Sequence, residues 1–80
     1  MTVVPLPAHA RWARDVRGQG RAVRVSAHAE AGLITVSLWR DGGCVGTVRL
    51  TPHEAAELVA GITEGLAHLA AEAPTGRTDA

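Results

Sequence analysis

The sequence contains no phenylalanine, tyrosine or lysine, only one cysteine and one methionine, and two tryptophans. A single cysteine excludes an internal disulfide, and without Phe or Tyr the core is limited mainly to Val, Leu, Ile and Ala. Very small domains with a small core need a disulfide, a metal or a partner subunit to be stable. We therefore expect one domain of 80 residues that acts as a homodimer or with a partner protein.

Targeting signals are also lacking. Residues 1–7 carry two prolines, no basic residue and no apolar run of signal-peptide length. No stretch approaches the roughly 20 apolar residues that a membrane helix needs. The lone cysteine favours a reducing compartment. These features predict a cytoplasmic protein without a membrane segment.

The charges are segregated along the chain although their sum is zero. Residues 1–50 have a balance of +4, and residues 51–80 have a balance of −4. Such asymmetry indicates an interaction surface. All eight basic residues are arginine, which a GC-rich genome explains together with the many alanines, so the arginines are weak support for phosphate binding.

Three segments have the pattern of half-buried strands. Residues 21–29 alternate between apolar and polar side chains, and residues 33–40 and 44–50 follow with glycine-containing turns before each of them. A three-residue turn at 41–43 places the apolar residues of its two strands on one face, whereas a two-residue turn separates them. With a four-residue loop at 29–32, this register predicts the pairs Val23–Leu38, Val25–Val36, Ile34–Leu50, Val36–Val48 and Leu38–Gly46.

A helix begins at Thr51, with Pro52 in the first helical position and Glu54 completing a capping box. Its apolar residues recur at helical spacing. They are Ala55, Leu58, Val59, Ile62, Leu66 and Leu69. We predict an α+β fold: a three-stranded antiparallel β-meander followed by one C-terminal α-helix packed on one sheet face. Residues 1–20 form an extended N-terminal arm, residues 21–72 the βββα domain, and residues 73–80 a disordered tail.

The other sheet face, which we call the outer face, combines basic and aromatic side chains without an acidic residue. Its predicted members are Arg24, Ser26, His28, Leu33, Thr35, Ser37, Trp39, Val45, Thr47 and Arg49. A basic sheet with an aromatic can bind single-stranded nucleic acid, because arginine neutralises phosphate and the ring stacks on a base. Alternatively, the N-terminal arm, through Trp12, or a second subunit covers this face. The candidate binding residues are Arg24, His28, Trp39 and Arg49.

No catalytic or metal-binding constellation is recognisable. Glu64, His68 and Glu72 follow each other on one helix face, which is typical of a solvated surface rather than a metal site. Cys44 is expected on the apolar face as a small buried side chain, away from His28, so the two form no nucleophile–base pair. We expect no cofactor and no metal.

Two glycines, Gly61 and Gly65, lie in the middle of the predicted helix. Each costs roughly 1 kcal/mol relative to alanine. They indicate either close approach of another backbone or simple tolerance in a helix held by its leucines. Together with Trp12, they are the candidate residues for dimer or partner packing.

The segment 49–65, Arg-Leu-Thr-Pro-His-Glu-Ala-Ala-Glu-Leu-Val-Ala-Gly-Ile-Thr-Glu-Gly, resembles the C-terminal segment of the BldB-like small actinobacterial regulatory proteins. That family has Thr/Ser-Pro-x-Glu after an apolar residue, then a helix with Ala-Gly and a second Gly four residues later. It has an aromatic where this chain has Ala55, and its N-terminal Trp-Arg/Lys-Lys-Ser-Ser motif is absent. The resemblance implies a small non-enzymatic partner of a helix-turn-helix DNA-binding regulator.

The order of elements is also similar to that of single-stranded-DNA coactivators, which run strands into a C-terminal helix and dimerise. Their Lys-rich strand motif is missing here. The leading hypothesis is therefore a homodimeric regulatory or protein-interaction module that acts with a transcriptional regulator. The alternatives are a single-stranded nucleic-acid-binding module that uses the basic outer face, and a small enzyme subunit.

Overall fold

A computed structural model describes residues 9–73 of the chain. It contains four strands followed by one helix. The strands are β1 (His9–Arg14), β2 (Arg21–His28), β3 (Leu33–Arg40) and β4 (Gly43–Leu50), and the helix is α1 (Pro52–Glu72). The strands form one antiparallel sheet in the order β1-β2-β3-β4. The α+β class is confirmed, but the predicted count of three strands is wrong.

The additional strand is β1, which lies within the segment that we expected to be an extended arm. It pairs with β2 over its whole length, for example Trp12 with Arg24 and Arg11 with Val25. The β1 backbone thereby forms hydrogen bonds with backbone groups of β2, which would otherwise be an open edge strand of the sheet. Residues 1–8 of the expected arm and the expected tail from Pro74 onward lie outside the described residues.

The predicted register of the meander is confirmed. Val25 pairs with Val36, Val36 with Val48, and Ile34 with Leu50. Because directly opposed residues share a face, the apolar residues of β2, β3 and β4 form one continuous apolar face. The apolar face comprises Ala13, Val23, Val25, Ala27, Ile34, Val36, Leu38, Val48 and Leu50.

The turn that produces this register differs from the predicted one. Asp41 and Gly42 alone form the turn, with φ of 52° and 84°, and Gly43 already belongs to β4. Positive φ at both central residues is typical of a two-residue type I′ hairpin. The register then shifts between Leu38 and Trp39, which is a β-bulge at Val45. The bulge restores the apolar face that a two-residue turn alone would have split.

The helix begins as predicted but does not pack over the sheet. The Thr51 hydroxyl accepts a hydrogen bond of 3.2 Å from the Glu54 backbone N–H. Beyond this point none of the described helix residues is buried, and Ile62 and Leu66 are 57% and 62% exposed. Only the extended residue Thr51 joins β4 to α1, so the chain has no segment in which to reverse direction. The prediction of a helix packed on one sheet face is therefore wrong for a single copy of the chain.

The β1–β2 turn is held by an ion pair. The Asp15 carboxylate accepts hydrogen bonds from the Arg17 backbone N–H at 2.7 Å and from its guanidinium at 2.6 and 3.0 Å. These bonds hold the pKa of the Asp15 carboxyl well below its usual range. Because the pKa of this carboxyl is lower in the folded state than in the unfolded state, ionised Asp15 stabilises the turn at pH values above the unfolded-state pKa. This stabilisation is lost as the pH falls through the folded-state pKa.

Candidate functional site

Two surfaces of the described chain are open to a ligand or partner. One is the outer face of the sheet, where all four candidate binding residues lie. The other combines the apolar face with the apolar stripe of α1. We define this stripe as Ala55, Leu58, Val59, Ile62, Leu66 and Leu69.

The outer face is built around the side chains of two tryptophans from different strands. Trp12 on β1 and Trp39 on β3 meet edge to face, with ring centroids 5.2 Å apart and an interplanar angle of 62°. The Arg24 guanidinium on β2 lies 5.8 Å from the Trp12 ring centroid, within cation–π range. Trp12 does not cover this face as an arm would: it lies in β1 of the same sheet, beside Trp39, and is itself part of the face.

Two serines are buried beneath the outer face, and one of them, Ser37, holds this cluster. Ser26 and Ser37 are 2% and 6% exposed, and they are the only buried side chains among the described residues. The Trp39 Nε1–H donates to Ser37 Oγ at 2.9 Å, and Ser37 Oγ–H donates to the Arg24 carbonyl at 3.4 Å. The indole of Trp39 is therefore fixed by a hydrogen bond, whereas Trp12 remains 53% exposed and offers free ring surface.

The other two candidate residues form a separate group on the same face. His28 and Arg49 line a shallow depression together with Thr35, Thr47 and one carboxylate, Glu30 of the β2–β3 turn. Ser26 Oγ lies 3.3 Å from His28 Nε2, which fixes the ring at the end of β2. The structure therefore places all four predicted residues on one face, but in two groups: Arg24 with Trp39, and His28 with Arg49.

Cys44 lies on the outer face and is exposed, so its predicted burial on the apolar face is wrong. The bulge at Val45 pairs Cys44 with Trp39 and reverses the side of the sheet that it faces. Its thiol lies 3.5 Å from both the Gly46 carbonyl and Thr47 Oγ1. His28 pairs with the other end of β3, about 20 Å away along the strand, so the two side chains are too distant for a nucleophile–base pair.

Among the polar and aromatic members of the outer face, sequence reasoning missed Trp12 as a strand residue, Arg14 and Cys44. The alternation of polar and apolar residues from His9 to Trp12 was a usable signal. In the sheet, Ala10, Trp12 and Arg14 lie on one face. The segment lacks β-branched residues, however, and this hides its strand character.

The sheet as a whole carries charge of one sign. Its strands contain six arginines and no Asp or Glu, whereas α1 contains four Glu and no Arg or Lys. Four of the chain's arginines and one carboxylate line a depression between the two turns at one end of the sheet. These residues are Arg14, Asp15, Arg17, Arg21 and Arg40.

Residues 9–73 of one copy leave the apolar face and the stripe of α1 uncovered. Among the described residues no apolar side chain is buried, and Leu38 and Val48 in the apolar face are 55% and 56% exposed. A Cβ added at Gly61 or Gly65 meets no atom within 4 Å, so neither glycine is needed for packing within one chain. Exposed apolar surface of this extent marks an interaction site.

No family model, curated protein or solved structure matches the chain. Within residues 9–73 there is no group of three His, Cys, Asp or Glu side chains placed to hold a metal ion. In the same part of the chain no helix combines the length and apolar character needed to cross a membrane. Function therefore has to be inferred from the geometry of the two open surfaces.

Proposed function

We propose that this chain is a small non-enzymatic regulatory module that forms a homodimer and acts with a transcriptional regulator through protein–protein contacts. One observation carries the proposal: the described part of a single copy folds into regular strands and a capped helix yet buries no apolar side chain. The apolar residues are patterned for burial, and that burial needs a second chain.

The described part of a single copy lacks the main source of folding free energy. Ordering each residue costs roughly 1–2 kcal/mol of conformational entropy. Burial of apolar surface is the main term that offsets this cost, at about 25 cal/mol per Å². One copy of this chain leaves Leu38, Val48 and the α1 stripe in water, so it lacks most of that term. Association supplies the missing burial, which makes folding and dimer formation one process.

The regulatory part of the proposal is supported by what a dimer would leave exposed. If the apolar surfaces meet, the outer face with Trp12, Arg24 and Arg49 stays free for a further partner. Aromatic and arginine side chains are the residues enriched at protein interfaces. The similarity of residues 49–65 to BldB-like proteins favours a DNA-binding regulator as that partner.

We expect the purified protein to have about twice its chain mass of 8.3 kDa in light scattering, and its thermal midpoint to rise over about a hundredfold increase in concentration.

Affinity capture from the native cytoplasm should retain a DNA-binding regulator, and an Arg24→Glu variant that remains dimeric should lose it. A folded monomer with a concentration-independent midpoint would contradict the dimer. Equal capture by both forms would contradict the role of the outer face.

A second function, binding of single-stranded nucleic acid, is favoured by the Trp12–Trp39–Arg24 cluster. Trp12 presents half of its surface to solvent, and a base can stack on it. The surrounding strands carry no carboxylate that would repel phosphate. Arg14 on β1 has the same side-chain parity as Trp12 and adds a further positive charge to this face.

This second function predicts quenching of tryptophan fluorescence by a single-stranded oligonucleotide, with affinity that falls as salt rises. Arg24→Gln should lower the slope of log K against log salt by about 0.7 for one lost phosphate contact. Arg17→Gln is the matched control, because Asp15 already neutralises Arg17 in the turn. An absence of quenching, or affinity indifferent to salt, would exclude nucleic-acid binding by this face.

A further inference from the structure

The apolar face of the sheet and the stripe of α1 are complementary to each other in length and in charge. We propose that α1 of one copy packs on the apolar face of a second copy, and that the second copy returns the same contact. This inference rests on the proposed homodimer and specifies its architecture: a reciprocal exchange of helices between two sheets.

The lengths of the two surfaces agree. A 21-residue helix is about 32 Å long, and strands of eight residues are about 26 Å long. A partner helix can therefore cover the apolar face from one end to the other. The chain's own helix does not do so, because only Thr51 lies between β4 and α1.

The charges at the borders of the two surfaces are opposite. On the sheet, Arg11, Arg21 and Arg40 have the same side-chain parity as the apolar residues and lie at its β1 edge and at its turn end. On the helix, Glu54 lies four residues before Leu58 and Glu72 three residues after Leu69, so both border the stripe.

An antiparallel pairing of the two helices through Gly61 and Gly65 is the competing arrangement. It would bury the stripes of both helices but leave Val25, Leu38 and Val48 of each sheet exposed. It would also bring two helices of like charge together, since α1 has four Glu and no Arg or Lys. Exchange of helices covers both the apolar face and the stripe of α1 in one step and pairs opposite charges.

The test is cross-linking between two different cysteine variants in a Cys44→Ser background, which removes the only native thiol. Val48→Cys places a thiol in the apolar face and Ile62→Cys places one in the middle of the stripe. The two chains, one of them tagged, are refolded together and treated with a short bis-maleimide. Helix exchange predicts a cross-linked dimer that contains one chain of each kind.

Thr47→Cys is the matched control, because Thr47 is adjacent to Val48 but belongs to the outer face. Its mixture with Ile62→Cys should give at least tenfold less cross-linked dimer. Dominant cross-linking of Ile62→Cys with itself, or equal yields with Thr47→Cys, would overturn helix exchange while leaving the homodimer in place. A monomeric mass in light scattering would instead overturn both this inference and the proposed homodimer.

Discussion

Replacing Ile62 with glutamate is expected to abolish the dimer and to unfold the chain. Ile62 lies in the middle of the α1 stripe and is 57% exposed in one copy, so it is available to a partner. Loss of a buried isoleucine costs about 2–5 kcal/mol, and a carboxylate placed in an apolar interface adds a desolvation cost. In a symmetric dimer the loss occurs twice, which weakens association by at least about a thousandfold.

Ala60→Glu is the control for this experiment. It introduces the same charge two residues away, on the side of α1 opposite the stripe. It should leave the mass in light scattering and the helical circular dichroism signal close to those of the parent protein. If Ile62→Glu also remains a folded dimer, the stripe is not the association surface, and the proposed homodimer has to be built from other residues.

The sequence was sufficient to predict the register of the β2–β4 meander because the requirement is local and geometric. Side chains alternate with a period of two, so only certain registers bring Val25, Val36 and Val48 to one face. The capped start of α1 was predictable for a similar reason, since Thr51 and Pro52 act within one turn. The turn itself was less predictable, because a two-residue turn with a bulge and a three-residue turn yield the same register beyond Leu38.

The position of α1 could not be predicted from one sequence. An amphipathic pattern shows that a helix buries one side, but it does not say whether the covering surface belongs to the same chain. The one-residue connection at Thr51 was the available signal that α1 cannot fold back onto its own sheet. It was overlooked because a helix that follows a sheet usually packs on that sheet. A different cause hid β1: residues 9–14 have few residues with high strand propensity.

The candidate site was predictable in its membership but not in its grouping. The alternation of side chains along each strand was enough to assign Arg24, His28, Trp39 and Arg49 to one face of the sheet. Trp39 on β3 contacts Trp12 on β1 across β2. This contact could not be predicted without knowing that β1 belongs to the sheet. The assignment of Cys44 failed because a single bulge residue changes the parity of every side chain before it.

The contact between the two turns at one end of the sheet leads to the second large prediction. Gly20 has a φ of +69°, and its carbonyl accepts a hydrogen bond of 3.0 Å from the Asp41 backbone N–H. A Cβ at Gly20 would lie 2.8 Å from the Asp41 backbone nitrogen and 3.0 Å from its Cα. Alanine at this position therefore combines a strained backbone with a clash against backbone atoms, and we expect it to destabilise the protein by about 3 kcal/mol.

Gly18→Ala separates these two causes, because Gly18 has nearly the same φ, +71°, and a Cβ added there would meet no atom within 4 Å. It should cost only the backbone strain, about 1 kcal/mol, or a fall of about 4–8 °C in thermal midpoint at fixed concentration. Gly20→Ala should lower the midpoint at least twice as far. It should also alter the tryptophan emission, because displacement of Asp41 moves the end of β3 that carries Trp39 against Trp12. Equal midpoints for the two variants would mean that the turns separate freely, and the outer face would then lack a rigid support at this end.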